Sequence, residues 1–402
     1  MSTTTNEQVR VLRKIARVSV NLGLALAAVV VALIVLELGA RLLPTPYDGS
    51  SNVADTSSDQ TGWRGKPFYT TTVATGDLVR DLALNSAGMH DTEHSLAKPD
   101  DTFRILILGD SFVQAVQVAE TETAQQVLED RLNELGDSRR YEVISAGVGG
   151  WGTGQELLYY RTEGRHYQPD LVLLMFFLGN DVKDNLPSRG VTVDGLNHYT
   201  PYFVFNNGKL DIEPWYYAPG LEPAMGPTLP GWKAWNNLLG RVYQSSRLYA
   251  QLEPLVAVEP INASMLDFYL GQSETFDYAL ALTLALVKQL RIEVEQDSAQ
   301  FGVVLISPVD LIEFSQLDPA ARAKIYKRLP GMRRAEVIDP PNQQFVEQFS
   351  QAGIAVLDLF PSFADRVVQT SETLYFTGDK HWNVAGNRLA GETIYRWLVG
   401  EL

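Results

Sequence analysis

Three residues that can cooperate in nucleophilic catalysis stand out in this chain. Ser111 follows the apolar run from Arg104 to Leu108 and a Gly-Asp dipeptide. Asp379 and His381 lie near the C-terminus with one residue between them. A serine, a histidine and an aspartate can form an acyl-transfer site in which the histidine removes the proton of the serine hydroxyl. The residue types therefore favour serine catalysis, with the chain order Ser, Asp, His.

Taken alone, Gly-Asp-Ser is also typical of an ordinary helix N-cap. Two further loops strengthen the catalytic interpretation. A glycine-rich loop around Gly150 follows the second predicted strand, and Asn180 follows the third. Glycine lets a backbone N–H approach a reacting centre, and asparagine offers an amide donor, so both could contribute to an oxyanion hole. The Asn180-Asp181 pair is equally typical of a turn or a helix cap.

The chain from Phe103 onward alternates between strand and helix patterns. This alternation predicts a parallel sheet with helices on both faces, and ligands in such sheets bind at the carboxyl ends of the strands. The predicted strands are Arg104–Leu108, Tyr141–Ala146, Asp170–Phe177, Gly302–Ile306 and Ala355–Leu359. The predicted helices are Glu122–Leu135, Gln155–Arg165, Thr275–Glu295, Gln343–Gln351 and Asn383–Leu398.

The N-terminal region predicts a membrane anchor. Residues 18–40 are largely apolar and long enough for the roughly 20 residues that a spanning helix needs. Arg10, Arg13, Lys14 and Arg17 precede this run, which places the N-terminus in the cytoplasm and the rest outside the membrane. A cleaved signal peptide is the alternative, although Leu38-Gly39-Ala40 puts a bulky leucine where a small residue is wanted.

The predicted organisation has four parts: a cytoplasmic tail (1–17), the anchor (18–40), a linker and N-terminal extension (41–102) and an α/β domain (103–402). An insertion at about 183–272 interrupts the domain, and long insertions usually serve binding or act as lids. Aromatic side chains could stack on sugars there or simply form the insertion's own small core. They are Tyr199, Tyr202, Phe203, Trp215, Tyr216, Tyr217, Trp232 and Trp235.

Composition excludes several classes of function. The formal net charge of −15 argues against nucleic acid as a partner, because phosphates require a basic surface. The chain has no cysteine, which excludes disulfides, thiolate metal sites and a cysteine nucleophile. His90, His94, His166 and His198 show no convincing metal-ligand spacing. We therefore expect neither a metal nor a cofactor.

With all these segments in order, the chain from about Phe103 to Leu398, apart from the insertion, resembles the SGNH (GDSL-type) hydrolase family. The four blocks of that family correspond here to Gly109–Phe112, the Gly150 region, Gly179–Asp181 and the His381 segment. The resemblance implies a flavodoxin-like three-layer fold. It also implies that Ser111 is the nucleophile and that the oxyanion hole consists of the backbone N–H groups of Ser111 and Gly150 and the amide of Asn180.

The spacing near His381 departs from the common family pattern, in which the aspartate comes three residues before the histidine. That position is Gly378 here, and the carboxylate is Asp379. The resulting Asp-Lys-His-Trp resembles the branch related to alginate O-acetyltransferases, as do the segment Asn85–Asp91 and the anchor. Asp310, after the fourth predicted strand, is an alternative carboxylate.

Three functions are compatible with these features. The first is an anchored extracytoplasmic serine esterase or O-acyltransferase acting on acylated carbohydrate of the cell envelope. The second keeps the chemistry but acts on a lipid or a thioester. The third is a non-catalytic scaffold of a polysaccharide export machine, which would bind envelope-assembly proteins; the presence of every expected catalytic residue argues against it.

Overall fold

The computed structural model describes most of the α/β domain and the N-terminal helix. Part of the predicted linker, much of the insertion and Gly378 lie outside the described residues, as do Trp215, Tyr216, Tyr217, Trp232 and Trp235. The described residues are 3–40, 53–55, 60–75, 78–186, 190–193, 196–199, 201–206, 208–213, 274–318, 320, 341–377 and 379–401.

Helices and strands alternate from Thr102 to Asp184, and two 3-10 helices, Glu120–Glu122 and Gly164–Tyr167, lie between some of them. The strands are β1 Ala54–Asp55, β2 Arg64–Gly65, β3 Thr70–Thr75, β4 Leu78–Ala83, β5 Thr102–Gly109, β6 Arg140–Gly147, β7 Leu171–Phe177, β8 Gly190–Val193, β9 Leu196–Tyr199, β10 Tyr202–Asn206, β11 Lys209–Glu213, β12 Gln300–Ile306 and β13 Ala355–Asp358. The helices are α1 Thr3–Ala40, α2 Ser111–Gln114, α3 Ala124–Asn133, α4 Thr153–Thr162, α5 Asp181–Asp184, α6 Glu274–Gln296, α7 Val309–Gln316, α8 Pro341–Gln351, α9 Phe360–Thr370 and α10 Val384–Glu401.

The central sheet has the order β6-β5-β7-β12-β13, and every adjacent pair is parallel. Numbered along the chain, these strands have the order 2-1-3-4-5, which is the flavodoxin-like arrangement. The predicted flavodoxin-like parallel sheet is therefore confirmed. Because all strands run the same way, the segments that follow β5, β6 and β7 emerge at one edge of the sheet. Ser111, Gly150 and Asn180 lie in these segments.

Alternate side chains of the strands pack into two separate cores, as the period of two in a strand requires. On one face, Leu106 and Leu108 of β5 pack in a core with residues of α4, α6 and α8. On the other face, Ile105 and Ile107 pack in a core with residues of α3, α9 and α10. All four side chains are essentially inaccessible to solvent. Burial on both faces explains why these strands are continuous apolar runs.

The extension before the α/β domain also has structure of its own. Strands β1 and β2 pair antiparallel, and β3 and β4 form an antiparallel hairpin. Val73, Leu82 and Leu84 form a small core with Val116, which follows α2. The extension therefore packs directly against the segment that carries the candidate nucleophile.

Helix α1 forms the described part of a separate compact unit. Within it, Ala16–Gly39 is 24 residues long and apolar enough to cross a membrane, by length and composition, and none of it is buried. The predicted strands and helices of the α/β domain all appear, with shifts of a few residues at their ends. Helices α7 and α9 and the hairpin of β3 and β4 were not among the predicted elements.

Candidate active site

A sharp turn from strand to helix presents Ser111. Strand β5 ends at Gly109, and Asp110 caps α2 by accepting a hydrogen bond from the N–H of Phe112 at 2.9 Å. Two glycines make room for this turn. A Cβ at Gly109 would lie 2.4 Å from Cγ2 of Val113, and a Cβ at Gly147, the last residue of β6, would lie 2.4 Å from the backbone nitrogen of Gln114. Side chains at these positions would push α2 away from the sheet.

Ser111, His381 and Asp379 form a hydrogen-bonded relay. Nε2 of His381 lies 2.7 Å from Oγ of Ser111, and Nδ1 lies 2.7 Å from Oδ1 of Asp379. A carboxylate can only accept, so Nδ1 carries the proton and Nε2 presents its lone pair to the serine hydroxyl. This is the geometry that a histidine base requires.

The two-residue spacing gives Asp379 a second contact with the same histidine. Oδ1 of Asp379 also accepts a hydrogen bond from the backbone N–H of His381 at 2.8 Å. Lys380 between them adopts a left-handed backbone with φ 65°, and its N–H donates to the carbonyl of Phe376. The carbonyl of His381 in turn accepts from the N–H of Phe376, which closes a tight turn around the pair.

Burial and hydrogen bonding shift the pKa values of Asp379 and His381 in opposite directions. Burial raises the pKa of Asp379, but the hydrogen bonds and charge of His381 outweigh burial, so the pKa lies below its ordinary value. A hydrogen bond from Nε2 of Gln117 to Oδ2 at 3.0 Å also favours the charged carboxylate. Burial lowers the pKa of His381, but the hydrogen bond and charge of Asp379 and the charge of Asp110 raise it above 6.5. The histidine is thus a stronger base than a free imidazole.

Aromatic rings hold the imidazole of His381 in place. The ring of Phe112 lies 5.0 Å from His381, 5.0 Å from Trp382 and 4.4 Å from Phe177, measured between centroids. Phe112 follows the serine directly, so one turn supplies both the nucleophile and the support for the base. Such packing limits the ring to a narrow range of orientations.

The two predicted oxyanion segments both reach the serine turn. A Cβ built at Gly149 would lie 3.8 Å from Cβ of Ser111, so the Gly150 loop borders the nucleophile. Nδ2 of Asn180 donates to Oδ2 of Asp110 at 3.1 Å, which leaves its second N–H for another acceptor. The N–H of Ser111 is in the first turn of α2, where N–H groups have no acceptor within a helix. The predicted donors therefore lie around the turn that carries Ser111.

Asp310, the alternative carboxylate, lies in the first turn of α7 and is buried. It accepts hydrogen bonds from Nζ of Lys380 at 3.0 and 3.3 Å. Because Asp379 contacts both the ring and the backbone of His381, the geometry favours Asp379 as the carboxylate of the relay.

Several buried carboxyl groups lie beneath the site. Asp110, Glu156 and Asp181 are all inaccessible to solvent. Burial raises the pKa of Asp110, and burial together with neighbouring carboxylates raises the pKa of Glu156 and Asp181 well above their ordinary values. Burial and the neighbouring carboxylates therefore favour the protonated forms of Glu156 and Asp181.

His90 and His94 contact groups outside the relay. Nδ1 of His90 lies 2.9 Å from the carbonyl of Gln114, and Nε2 of His94 lies 3.2 Å from Asp91. Among the described residues, no cluster of three or more potential ligands could hold a metal ion. Phe203, one of the aromatic residues of the insertion, is buried in the core that contains Leu106 and Leu108 rather than presented to solvent.

Sequence reasoning missed three residues that contact the site segments: Trp63, Gln114 and Gln117. Nε1 of Trp63 donates to the carbonyl of Gly149, Oε1 of Gln114 accepts from the N–H of Gly149, and Gln117 binds Asp379. The only available signal for the two glutamines was their position just after the serine.

Comparison with known proteins supports the family resemblance. The family model described as the SGNH hydrolase-like domain of the acetyltransferase AlgX matches residues 317–399. This stretch contains Asp379 and His381. The resemblance to the SGNH hydrolases is confirmed. The match covers about a fifth of the chain, and Ser111, Gly150 and Asn180 lie outside it. No curated protein matches the chain in sequence.

Solved structures that are similar to this chain include several esterases. An acetyl xylan esterase, AlAXEase, is 12% identical with a TM-score of 0.38, covering 74% of this chain and 100% of that one. A catalytic mutant of Axe2, an acetylxylan esterase from Geobacillus stearothermophilus, is 13% identical with a TM-score of 0.36, covering 73% and 93%. TesA is 13% identical with a TM-score of 0.36, covering 74% and 99%. At these values the likenesses do not assign an activity to this chain.

Neutralising Asp379 tests the relay. Asp379→Asn removes the charge that raises the pKa of His381 and presents an amide to Nδ1. We expect kcat for a chromogenic acetyl ester to fall by about 10⁴-fold, as when the wrong histidine tautomer is held. Because imidazole is active only when neutral, kcat/KM of the wild type rises with pH through the raised pKa of His381, and the variant's midpoint should lie at lower pH.

Asp310→Asn is the matched control, since it also neutralises one buried aspartate of the same region. We expect a loss of less than about tenfold, because ion pairs with a partly exposed partner contribute roughly 1 kcal/mol or less. A larger loss for Asp310→Asn than for Asp379→Asn would assign the carboxylate of the relay to Asp310.

Proposed function

We propose that this chain is a membrane-anchored, extracytoplasmic serine esterase or O-acyltransferase. Its substrates would be acyl esters, above all acetyl esters, of cell-envelope carbohydrate. The observation that carries the proposal is the relay from Asp379 through His381 to Ser111, with 2.7 Å at each step. The match of residues 317–399 to an acetyltransferase domain supports acetyl as the acyl group.

The reaction follows from the relay. Oγ of Ser111 attacks the ester carbonyl while Nε2 of His381 takes its proton, and Asp379 stabilises the imidazolium that forms. The carbonyl oxygen becomes an oxyanion, stabilised by the N–H groups of Ser111 and Gly150 and the amide of Asn180; one such donor is typically worth ~10²–10³ in rate. The imidazolium then protonates the leaving alcohol, and the acyl group stays on Ser111.

The second half of the reaction decides between hydrolysis and transfer. His381 removes a proton from the acceptor, which attacks the acyl-serine and regenerates Ser111. Water as the acceptor gives a carboxylic acid, and a sugar hydroxyl gives a new ester. The same side chains serve both outcomes, so the surroundings of the acceptor determine which one prevails.

The proposed location rests on α1 and its flanking charges. Ala16–Gly39 has the length and apolar composition of a spanning helix, and Arg10, Arg13, Lys14 and Arg17 precede or begin it. Positive residues remain on the cytoplasmic side. The α/β domain would therefore work outside the cytoplasmic membrane, where cell-envelope polysaccharide is found.

Covalent labelling tests the nucleophile. A fluorescent fluorophosphonate, which reacts with activated serines, should label the full-length wild-type protein in detergent, and Ser111→Ala should show no labelling and no acetyl ester hydrolysis above background. Ser307→Ala is the matched control, because Ser307 is a buried serine that directly follows strand β12 of the same sheet. A folded wild type without label would exclude serine catalysis.

Substrate preference tests the carbohydrate proposal. We expect kcat/KM for acetyl esters to exceed that for long-chain acyl esters and acyl thioesters by at least about tenfold, since a pocket that lacks length for extra methylenes discriminates by roughly 1–3 kcal/mol. With unacetylated oligosaccharide present, mass spectrometry of the products separates transfer to sugar from release of acetate. A preference for long acyl chains would instead support the lipid alternative.

The absence of native cysteine makes topology measurable with single engineered thiols. A membrane-impermeant maleimide applied to intact spheroplasts should label Gln369→Cys, at an exposed position near the end of α9, but not Ser2→Cys. Lysis should make both reactive. The reverse pattern would invert the proposed orientation, and a soluble protein lacking its first 40 residues would show that the helix is a cleaved signal.

A further inference from the structure

The peptide group between Gly149 and Gly150 connects the N-terminal extension to the candidate oxyanion hole. Its carbonyl oxygen belongs to Gly149 and accepts a hydrogen bond from Nε1 of Trp63 at 3.0 Å. Its N–H belongs to Gly150, the predicted oxyanion donor. A trans peptide group is planar, and its C=O and N–H point in opposite directions. The group that holds the carbonyl therefore also sets the direction of the Gly150 N–H.

Neighbouring groups further restrict the orientation of the Gly149–Gly150 peptide group. The N–H of Gly149 donates to Oε1 of Gln114 at 3.0 Å, and Gln114 belongs to α2, the helix that begins with Ser111. Gly150 has a φ of 79°, which residues with a side chain rarely adopt. Gly149 is thus hydrogen-bonded through its N–H to α2 and through its carbonyl to Trp63.

Burial and hydrogen bonds hold Trp63 itself in a fixed position. Its side chain is buried in the core that contains Leu106, Leu108 and residues of α4, α6 and α8. Its carbonyl accepts from Nε1 of Trp151 at 3.0 Å and from Oγ1 of Thr61 at 2.9 Å. Nε2 of Gln155 in α4 donates to the carbonyl of Thr61 at 2.8 Å. Trp63 of the extension thus donates to the glycine-rich loop, and Trp151 of that loop donates to the backbone of Trp63.

We infer that Trp63 is a positioning residue of the oxyanion hole, supplied by the extension that precedes the catalytic domain. Its indole N–H orients the Gly149–Gly150 peptide so that the Gly150 N–H points at the developing oxyanion. Donation to the carbonyl also polarises the peptide and strengthens its N–H as a donor. This inference rests on the proposed function, because it assumes that Ser111 attacks an ester.

The role predicts a particular kinetic effect. The negative charge on the substrate oxygen develops fully only in the transition state, so a misdirected N–H weakens transition-state binding more than substrate binding. Loss of the Trp63 hydrogen bond should therefore lower kcat and leave KM nearly unchanged. The pH midpoint of kcat/KM should also stay in place, because Trp63 does not contact the relay of Ser111, His381 and Asp379.

The test replaces the indole N–H in two ways. Trp63→Phe keeps an aromatic ring but removes the donor. Replacement of Trp63 by 3-benzothienylalanine keeps the shape of the indole and substitutes sulfur for the N–H, so packing is preserved. Trp397→Phe is the matched control, since Trp397 is a partly buried tryptophan of α10 packed on the opposite face of the sheet. Full-length proteins are compared in detergent on a chromogenic acetyl ester.

We expect both Trp63 variants to lose about tenfold or more in kcat, below the ~10²–10³ for deleting a whole oxyanion donor, with KM within about twofold of wild type. Trp397→Phe should retain wild-type kcat. If the benzothienyl protein keeps wild-type kcat, Trp63 acts through packing alone and the inference is wrong. The benzothienyl variant decides the question even if Trp63→Phe does not fold.

Failure of the proposed function gives a different result. A wild-type protein that neither hydrolyses esters nor reacts with fluorophosphonate would remove the activity itself, whatever the Trp63 variants do. A wild type that is active and labelled at Ser111, with Trp63 variants that match it in kcat, would overturn only the role of Trp63.

Discussion

The site depends on a close approach of backbone to backbone at the edge of the sheet. The turn that carries Ser111 fits against the end of β6 only because Gly109 and Gly147 have no side chains. Once α2 is in this place, Phe112 reaches the ring of His381 and Gln114 reaches the N–H of Gly149. The nucleophile, the base and the oxyanion loop are therefore positioned by one short helix, and a steric constraint decides where that helix lies.

The pairing of Asp379 with His381 is a second consequence of short-range geometry. With one residue between them, a single carboxylate oxygen can bind the backbone N–H and the ring of the histidine together. A carboxylate one residue further away would need a different turn to reach both. Lys380 accepts a left-handed backbone in this turn, and its ammonium group binds Asp310 on a separate helix. Lys380 thus attaches the loop to α7 directly before the histidine.

The fold and the relay could be predicted from the sequence because each is indicated by patterns among residues that are close together in the chain. Continuous apolar strands and amphipathic helices indicate a doubly covered parallel sheet, and polar residues just after strands indicate a site at its carboxyl edge. Trp63 left no such pattern, since its partner Gly149 is 86 residues away and the contact uses a backbone carbonyl. Gln117 is similar, with Asp379 262 residues away. Helix α9 was missed although its first turn contains Pro361, which is typical of helix starts.

The buried carboxyl groups beneath the nucleophile make folding a proton-uptake process. Burial raises the pKa of Glu156 and Asp181, so the folded domain holds protons that the unfolded chain releases near its ordinary carboxyl pKa. Where the folded state binds more protons, the free energy of unfolding falls as pH rises, and it continues to fall until those groups ionise in the fold. The burial of Glu156 and Asp181 therefore lowers the stability of the domain as pH rises, whereas the lowered pKa of Asp379 makes the domain lose stability as pH falls.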